Sequence, residues 1–477
     1  NIEVWVHTVP KTNELPLLQF ADMDTYDDYD YEEARVGYVG RISYDYDDKY
    51  LLEIAGRRDA SWKFAPDKRW GFFPSVSGGW RISEEGFYKG SNLSSIIDNW
   101  KLRASYGELG DDNVDIGSFD YISGYNYASS KVILDGELIN GARDRGVPIN
   151  NISWFTSKIF DVGTDMSFMN GRLTGSMDYF YRKRSGLKQR RQDLLLPALL
   201  GYEQAEENLR SDAQVGGEIA LNYSANAGEL TYSVGANTSY SRSRFLQSYK
   251  PELNWGNSLD HYWNSQEDRW SGTIWGYEVI GQFQSMEEIS DYDINVDGQG
   301  NKTLLPGDFM YKDVNGDKVI DGNDRRPIAH ARDRNPTINF GLNFTLGYKN
   351  FDFRADFSGG AMYSYVQRWE MRVAYQNTGN LLKEFYDDRW HREDPFDPNS
   401  EWVPGKYPAL RFNEGGHSNY RDSDFWITNV KYLRLRTMEI GYNIPQSLLQ
   451  KIRLQRMRVY VNTYNLLSFD NVKYLGI

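Results

Sequence analysis

Residues 313–324, DVNGDKVIDGND, set oxygen-bearing side chains at a spacing that suits a hard cation. Asp313, Asn315 and Asp317 alternate, the backbone carbonyl of Val319 follows, and Asp324 takes the twelfth place. A Ca²⁺ ion takes about 6–8 oxygen ligands, and a short loop with this order of donors wraps round one. Ile320, in the eighth place, is expected to anchor the loop in a hydrophobic neighbour. Two residues depart from the pattern. Lys318 stands where the sharp turn prefers glycine, and Asp324 is shorter than the bidentate Glu that usually closes the cage. The expectation is a structural Ca²⁺ stiffening a long loop over 242–337, with an acidic, Asn/Gly-rich turn as the alternative. Upstream, DINVDGQGNKTL repeats the spacing with Asp293, Asn295 and Asp297, but its twelfth residue is Leu304, so a turn cluster is expected there.

The same loop carries Trp255, Tyr262, Trp263, Trp270, Trp275 and Tyr277. Flat rings of this kind stack on sugars, receive a partner's side chains, or pack a loop's own small core. All three readings stay open. Catalysis has little to build on. His7, His261, His330, His391 and His417 are scattered, with no HExxH pair, no GxSxG elbow and no phosphate loop. Carboxylate pairs such as Glu287-Glu288 are expected by chance in an acidic chain. No enzyme is expected.

The elements that must carry these loops are strands. In TINFGLNFTLGYKNFDFRADFSG, residues 337–359, Ile338, Phe340, Leu342, Phe344, Leu346 and Tyr348 alternate with Asn339, Gly341, Asn343, Thr345 and Gly347. After Lys349-Asn350 the alternation restarts, which makes a hairpin with one oily and one wet face. About a dozen such runs recur, each about 9–13 residues long, against the mode of about 5–6 in soluble sheets. In YLRLRTMEIGY the parity slips, and a bulge near Arg436-Thr437 restores it. Tight turns at 47–49, 170–171, 225–228 and 349–350 alternate with long segments near 110–157, 185–211, 242–337 and 360–430, with intermediate connections at 59–70 and 83–98. A transmembrane up-and-down barrel has this alternation of short and long connections. Aromatics crowd the tight-turn end: Tyr46 with Tyr50, Tyr348 with Phe351, Tyr223 with Tyr232, and Trp80 with Trp100. They read as an interfacial girdle.

Composition agrees. Mean hydropathy is −0.67, and no apolar run is long enough for a transmembrane helix, whereas barrel strands are only half apolar. The chain has 35 Tyr, 23 Phe and 14 Trp in 477 residues, and no cysteine, so it forms no disulfide. A net charge of −13 argues against nucleic acid as a partner. Lipid is therefore expected on the oily face. On the wet face, Arg35, Arg41, Arg81, Lys101, Arg103 and Arg354 mix with Asp45, Asp161, Asp165, Asp178, Asp352 and Asp356.

Several blocks also resemble a known family. LLEIAGRRDASWKFAPDKRWGFFPSVSGGWRISEEGF, IDNWKLRASYGELGDDN, GYEVIGQFQSMEEI, PGDFMYKDVNGDKVIDGNDRRPI and KYLRLRTMEIGYNIPQSLLQKIRLQRMRVYVNTYNLLSF resemble the SusC/RagA family of TonB-dependent outer-membrane transporters, in register from about residue 34 to 470. The resemblance implies an all-β, antiparallel transmembrane barrel of about 22 strands, the size class with a plugged lumen. It implies that residues 1–477 are the C-terminal part of that barrel, with the N-terminal plug, the TonB-contacting region and the last strand outside the chain. It further implies import of oligosaccharide or peptide fragments across the outer membrane, a SusD-like surface lipoprotein as lid, and a dimer of transporter–lipoprotein pairs. A passive porin-like channel and a calcium-stiffened, β-rich surface adhesin are the alternatives.

Overall fold

Period-two alternation commits a chain to extended backbone, because only a strand sends successive side chains to opposite faces. The computed structural model describes residues 33–114, 119–144, 146–190, 197, 199, 206–247, 267–330, 335–412 and 415–472. Its body is one 12-stranded antiparallel sheet in which chain order is also spatial order. The strands are β1 (Arg35–Tyr46), β2 (Tyr50–Ser61), β3 (Trp70–Arg81), β4 (Ile97–Asp111), β5 (Phe155–Phe168) and β6 (Leu173–Arg190). They continue as β7 (Glu206–Ala227), β8 (Leu230–Gln247), β9 (Ile338–Tyr348), β10 (Phe351–Val366), β11 (Ile427–Asn443) and β12 (Arg458–Asp470). Among the described residues β1 and β12 are the edges of the sheet. Among the described residues no helix is long and apolar enough to cross a membrane.

Register sorts the two faces. Ile42, Ile54, Val76, Tyr106, Phe160, Tyr181 and Val215 stand side by side across β1 to β7. One step along the strands, Ser43, Glu53, Ser77, Ser105 and Asp161 form the neighbouring row on the other face. Among the described residues no second layer seals the apolar row: Ile42 is 72% exposed and Ile54 50%. This unsealed apolar face is what hydrocarbon would cover.

The turns fall at one end. Asn170 and Gly171 take φ of 58° and 76°, the left-handed pair that a two-residue hairpin turn needs and that Asn-Gly adopts at least cost. β7 runs to Ala227, so its turn is Gly228-Glu229, just beyond the expected position. The bulge expected near Arg436-Thr437 is at Arg436. β10 and β12 both pair with Leu435 and with Thr437, and Arg436 is left between them.

Two expectations need correction. β1, β2, β3, β9 and β12 have 11–13 residues, as expected, but β4 to β8, β10 and β11 are longer than the alternation indicates, up to 22 residues in β7. The reason is physical: above the apolar band both faces are polar, so the sequence loses its period while the ladder of backbone bonds continues. Trp80 and Trp100 also do not meet. The connection between β3 and β4 turns helically and inserts Phe87 against Trp80, with ring centroids 6.4 Å apart, and Tyr88 against Trp100 at 6.1 Å. The other girdle pairs do form, with Tyr46–Tyr50 at 6.4 Å and Tyr223–Tyr232 at 6.0 Å, and Tyr348 directly opposite Phe351.

Leu221 and Asn222 are neighbours on β7 that face opposite ways. Leu221→Arg should cost about 2–4 kcal/mol of folding into lipid vesicles, and Asn222→Arg much less. Denaturant titration in vesicles measures both, and equal costs would refute the assignment of faces.

Candidate functional site

The polar face is built from paired charges. Arg103 on β4 reaches Asp178 on β6 at 2.6 Å, and Asp165 and Asp161 on β5 at 3.2 and 3.7 Å. Gly163 lies between them on β5. A Cβ there would stand 2.2 Å from Asp178 Oδ1 and 2.9 Å from Arg103 Cζ, so glycine is what lets the pair close. Further along, Arg458 bridges Asp352 and Glu439, Arg354 holds Asp356 at 2.8 Å, and Arg184 holds Asp212. Half-exposed pairs of this kind contribute about 0–1 kcal/mol each. Their effect is to make a wet wall with little bare charge.

Sequence reasoning missed a recess in that wall. A hollow of about 690 Å³ is lined by Arg81, Lys101, Asp165, Asn222, Asn237 and Asn343, among others. The three amides come from β7, β8 and β9. Asn237 and Asn343 make no side-chain hydrogen bond within the described residues. Glycines opposite them keep the space: a Cβ at Gly235 would meet Asn343 at 2.5 Å, and one at Gly341 would meet Asn237 at 3.1 Å. Each amide offers both donors and an acceptor, which suits neutral polar groups such as hydroxyls or peptide units. The signal in the sequence was asparagine at alternate, wet-face positions of an otherwise oily hairpin.

The aromatics also fall differently. The small core of the loops is made by Phe283, Phe309 and Tyr311 from the connection after β8, packed on Phe385, Tyr407 and Trp426 from the connection after β10. Two loops that read as separate in sequence thus share one core. Asp308, fully buried, locks them: Arg411 grips it with bonds of 2.7 and 2.9 Å, and Asn419 donates a third at 2.7 Å. Tyr311 donates to the Ser418 carbonyl at 2.7 Å, and burial pushes its phenol well above the usual range. Nearby, burial also raises the Asp424 carboxyl, although it accepts the Val279 amide at 2.9 Å.

Of the aromatic residues singled out in the sequence, Trp255, Tyr262 and Trp263 lie outside the described residues. Trp270 pairs through its backbone with Arg244 of β8, which places it on the apolar face rather than in the recess. Trp275 lies under Arg269, with 4.6 Å from guanidinium carbon to ring centroid.

Residues 313–324 form a turn closed largely by its own amides. Asp313 accepts from Gly316 and Lys318 at 2.7 and 2.9 Å, Asn315 from Asp317 at 3.1 Å, and Asp317 from Val319 at 2.9 Å. Asp324 accepts from Val314 and Asp321, at 2.8 and 2.9 Å, and so joins the two ends. Lys318 takes φ +63°, the left-handed position where glycine was expected. Ile320 is buried in the shared loop core, the anchoring expected of it. The upstream segment lies alongside, with Asn295 bridged to Val319, and Asp297 accepts bonds from Gln299, Asn301 and Thr303 as a turn centre. Among the described residues no three His, Cys, Asp or Glu side chains gather as a group that could hold a metal ion.

Comparison with known proteins bears on the whole chain. Residues 10–194 match the family described as TonB dependent receptor-like, beta-barrel. TonB-dependent receptor P3 of Formosa agariphila is 28% identical over 450 residues, which cover 92% of this chain and 41% of that protein. TonB-dependent receptor SusC of Bacteroides thetaiotaomicron is 25% identical over 467 residues, or 93% of this chain and 41% of that protein. The chain therefore spans about 41% of the length of these curated relatives. Among solved structures, the RagAB peptide importer in its closed-closed state superposes with a TM-score of 0.68 at 18% identity, covering 96% of this chain and 47% of that one. At that identity the likeness is one of fold.

Removing Arg411 would leave Asp308 in a dry site without its arginine, held only by Asn419, the Leu305 amide and His417 at 3.9 Å, at a cost of about 3–5 kcal/mol. Arg411→Met should accelerate hydrogen exchange in 283–311 and 418–426 while β1–β12 stay protected. Exchange unchanged from wild type would show that the buried pair does not hold the loops together.

Proposed function

We propose that this chain, which carries a TonB-dependent receptor β-barrel domain of the outer membrane, lines the uptake path of a SusC-like importer of oligosaccharide or peptide fragments. The observation that supports this reading most directly is the recess of amides on the polar wall. Sugars and peptides both present neutral donors and acceptors, and Asn222, Asn237 and Asn343 match either. Beside them Asp165 is paired with Arg103 and Arg81 lies 3.5 Å from Asp48, while Lys101 has no carboxylate partner among the described residues. Passage would then proceed by weak, exchangeable hydrogen bonds, with no covalent step. TonB would supply the work through a plug domain, and a SusD-like lipoprotein would close the mouth above the shared loop core. Two such pairs would assemble as a dimer. The names of the relatives support TonB coupling, and peptides are the cargo of the structurally similar RagAB importer.

The runner-up is a passive porin-like channel. Uptake of labelled oligosaccharides and peptides by cells carrying the full-length receptor separates the two. Deleting TonB should abolish uptake of the correct cargo, and uptake that persists would make the protein a passive pore. In the same assay, Asn237→Ala and Asn343→Ala should each raise the half-saturating concentration about 2–10-fold, the worth of one neutral hydrogen bond. No change in either variant would remove the recess from the path. A calcium-stiffened adhesin predicts no uptake at all.

A structural Ca²⁺ ion in residues 313–324 is a separate proposal. It rests on the order of donors in the sequence; the carboxylates of Asp313, Asp317 and Asp324 share one turn but are not gathered as a metal-holding group, so an ion would have to draw them in. Each of these acceptors keeps lone pairs beyond the amide bonds it makes. Calorimetric titration of chelator-washed protein should show binding at about millimolar affinity or tighter, lost in Asp324→Ala. No heat over that range would leave the segment a self-sufficient turn.

A further inference from the structure

The outer face of the sheet changes character at its loop end. Counted from the tight turns, the outward residues of β6 run through Met177, Tyr179 and Tyr181 and then reach Lys183. On β8 they run through Val234 and Tyr240 and then reach Arg242 and Arg244. On β5, Val162 and Phe160 give way to Lys158. Lys158 stands directly opposite Lys183, and Arg242 opposite Val215, which itself stands opposite Tyr181. These cations lie about 10–15 residues from the turns. At a rise of about 3.3 Å per residue and a tilt of about 40°, that is about 25–40 Å up, the top edge of an apolar belt about 25 Å tall. The tight-turn end shows rings in the corresponding outward positions, so the two edges differ.

Beside Arg242, the chain returning through 268–275 and 327–330 closes a cleft of about 450 Å³. It is lined by Arg242, Asp268, Arg269, Trp270, Trp275 and His330, among others. Trp270 shares the outer face with Arg244, and the Arg242 guanidinium lies 4.6 Å from its ring centroid. Asp268 is spent on Arg244 at 3.3 Å and Glu108 on Lys158 at 3.0 Å, but Arg242 and Lys183 have no carboxylate partner among the described residues. His330 Nε2 is buried and makes no hydrogen bond. Burial, and then Arg242, hold this imidazole below its usual range. His330 thus lines a cleft with two arginines and one engaged acid while its Nε2 stays buried and unbonded.

Arginine grips phosphate in a planar fork, and tryptophan favours the boundary between hydrocarbon and headgroups. A ligand here arrives from the membrane side, since Arg242 and Trp270 lie on the apolar face and not in the amide recess. We propose that this cleft, with Lys183 two strands away on β6 in the same outward row as Arg244, binds the phosphate of an anionic lipid headgroup in the leaflet on the loop side.

The test uses the full-length receptor in neutral detergent, given phosphatidylglycerol or phosphatidylcholine and read by native mass spectrometry. Wild type should retain phosphatidylglycerol selectively, and Lys183→Gln/Arg242→Gln should lose about tenfold in retention while keeping TonB-dependent uptake. Equal retention by the variant would overturn the site. Displacement of the lipid by millimolar inorganic phosphate would overturn it too, since the cleft would then serve a free anion. Should the double variant not fold, wild type alone decides: retention must weaken as salt rises from about 50 to 500 mM, because screening shortens the reach of the cations. Retention indifferent to salt would refute a phosphate contact.

Discussion

Everything in this sheet follows from where its backbone hydrogen bonds go. In hydrocarbon an unpaired amide or carbonyl has no water to turn to, so each strand must be bonded on both sides by its neighbours. That requirement fixes the unbroken antiparallel order of β1 to β12, and it leaves the side chains to satisfy two solvents at once. Alternate positions meet lipid, and those between them meet water. A slip of one residue would exchange the faces along the whole strand. The bulge at Arg436 shows how strictly this is kept, since the chain drops one residue from the ladder rather than turn Leu433 and Leu435 inward.

What was legible in the sequence was what depends on neighbours in the chain. Period two, the Asn170-Gly171 turn, the parity slip at Arg436 and the anchoring of Ile320 are all local, and each is found where the residues imply. The features that escaped are long-range. Asp308 and Arg411 are 103 residues apart, and nothing in either loop announces that the other completes its core. The mismatch of Trp80 and Trp100 has a similar origin, because the helical connection between their strands brings Phe87 and Tyr88 into competition. Trp270 shows a third limit: its type fits a sugar platform, yet one backbone bridge to Arg244 puts it on the lipid side.

The wall itself divides its polar groups by how fully they are satisfied. Arg103, Arg354 and Arg458 are bonded to carboxylates, so a passing solute gains little by approaching them. Asn237 and Asn343 have no such partners among the described residues, which leaves them to water. Exchanging one of those waters for a hydroxyl or a peptide group gains only about 0.5–1.5 kcal/mol. The proposed uptake path would need that property. Strong sites would hold cargo, and a bare charge would hold ions.

The loops apply the opposite logic at the mouth. There the buried charge is saturated: Asp308 alone receives bonds from Arg411, Asn419 and the Leu305 amide. Such a cluster tolerates no partial state, because losing one partner strands a charge away from water. Connections that enclose the β9–β10 hairpin are therefore tied into one body. Motion at the mouth would have to carry both loops together, hinged where they join β8 and β11, while the strands beneath stay fixed by their ladders. Rigidity above and exchangeable bonds within are complementary demands, and the chain meets them with the same residue types placed in dry and wet surroundings.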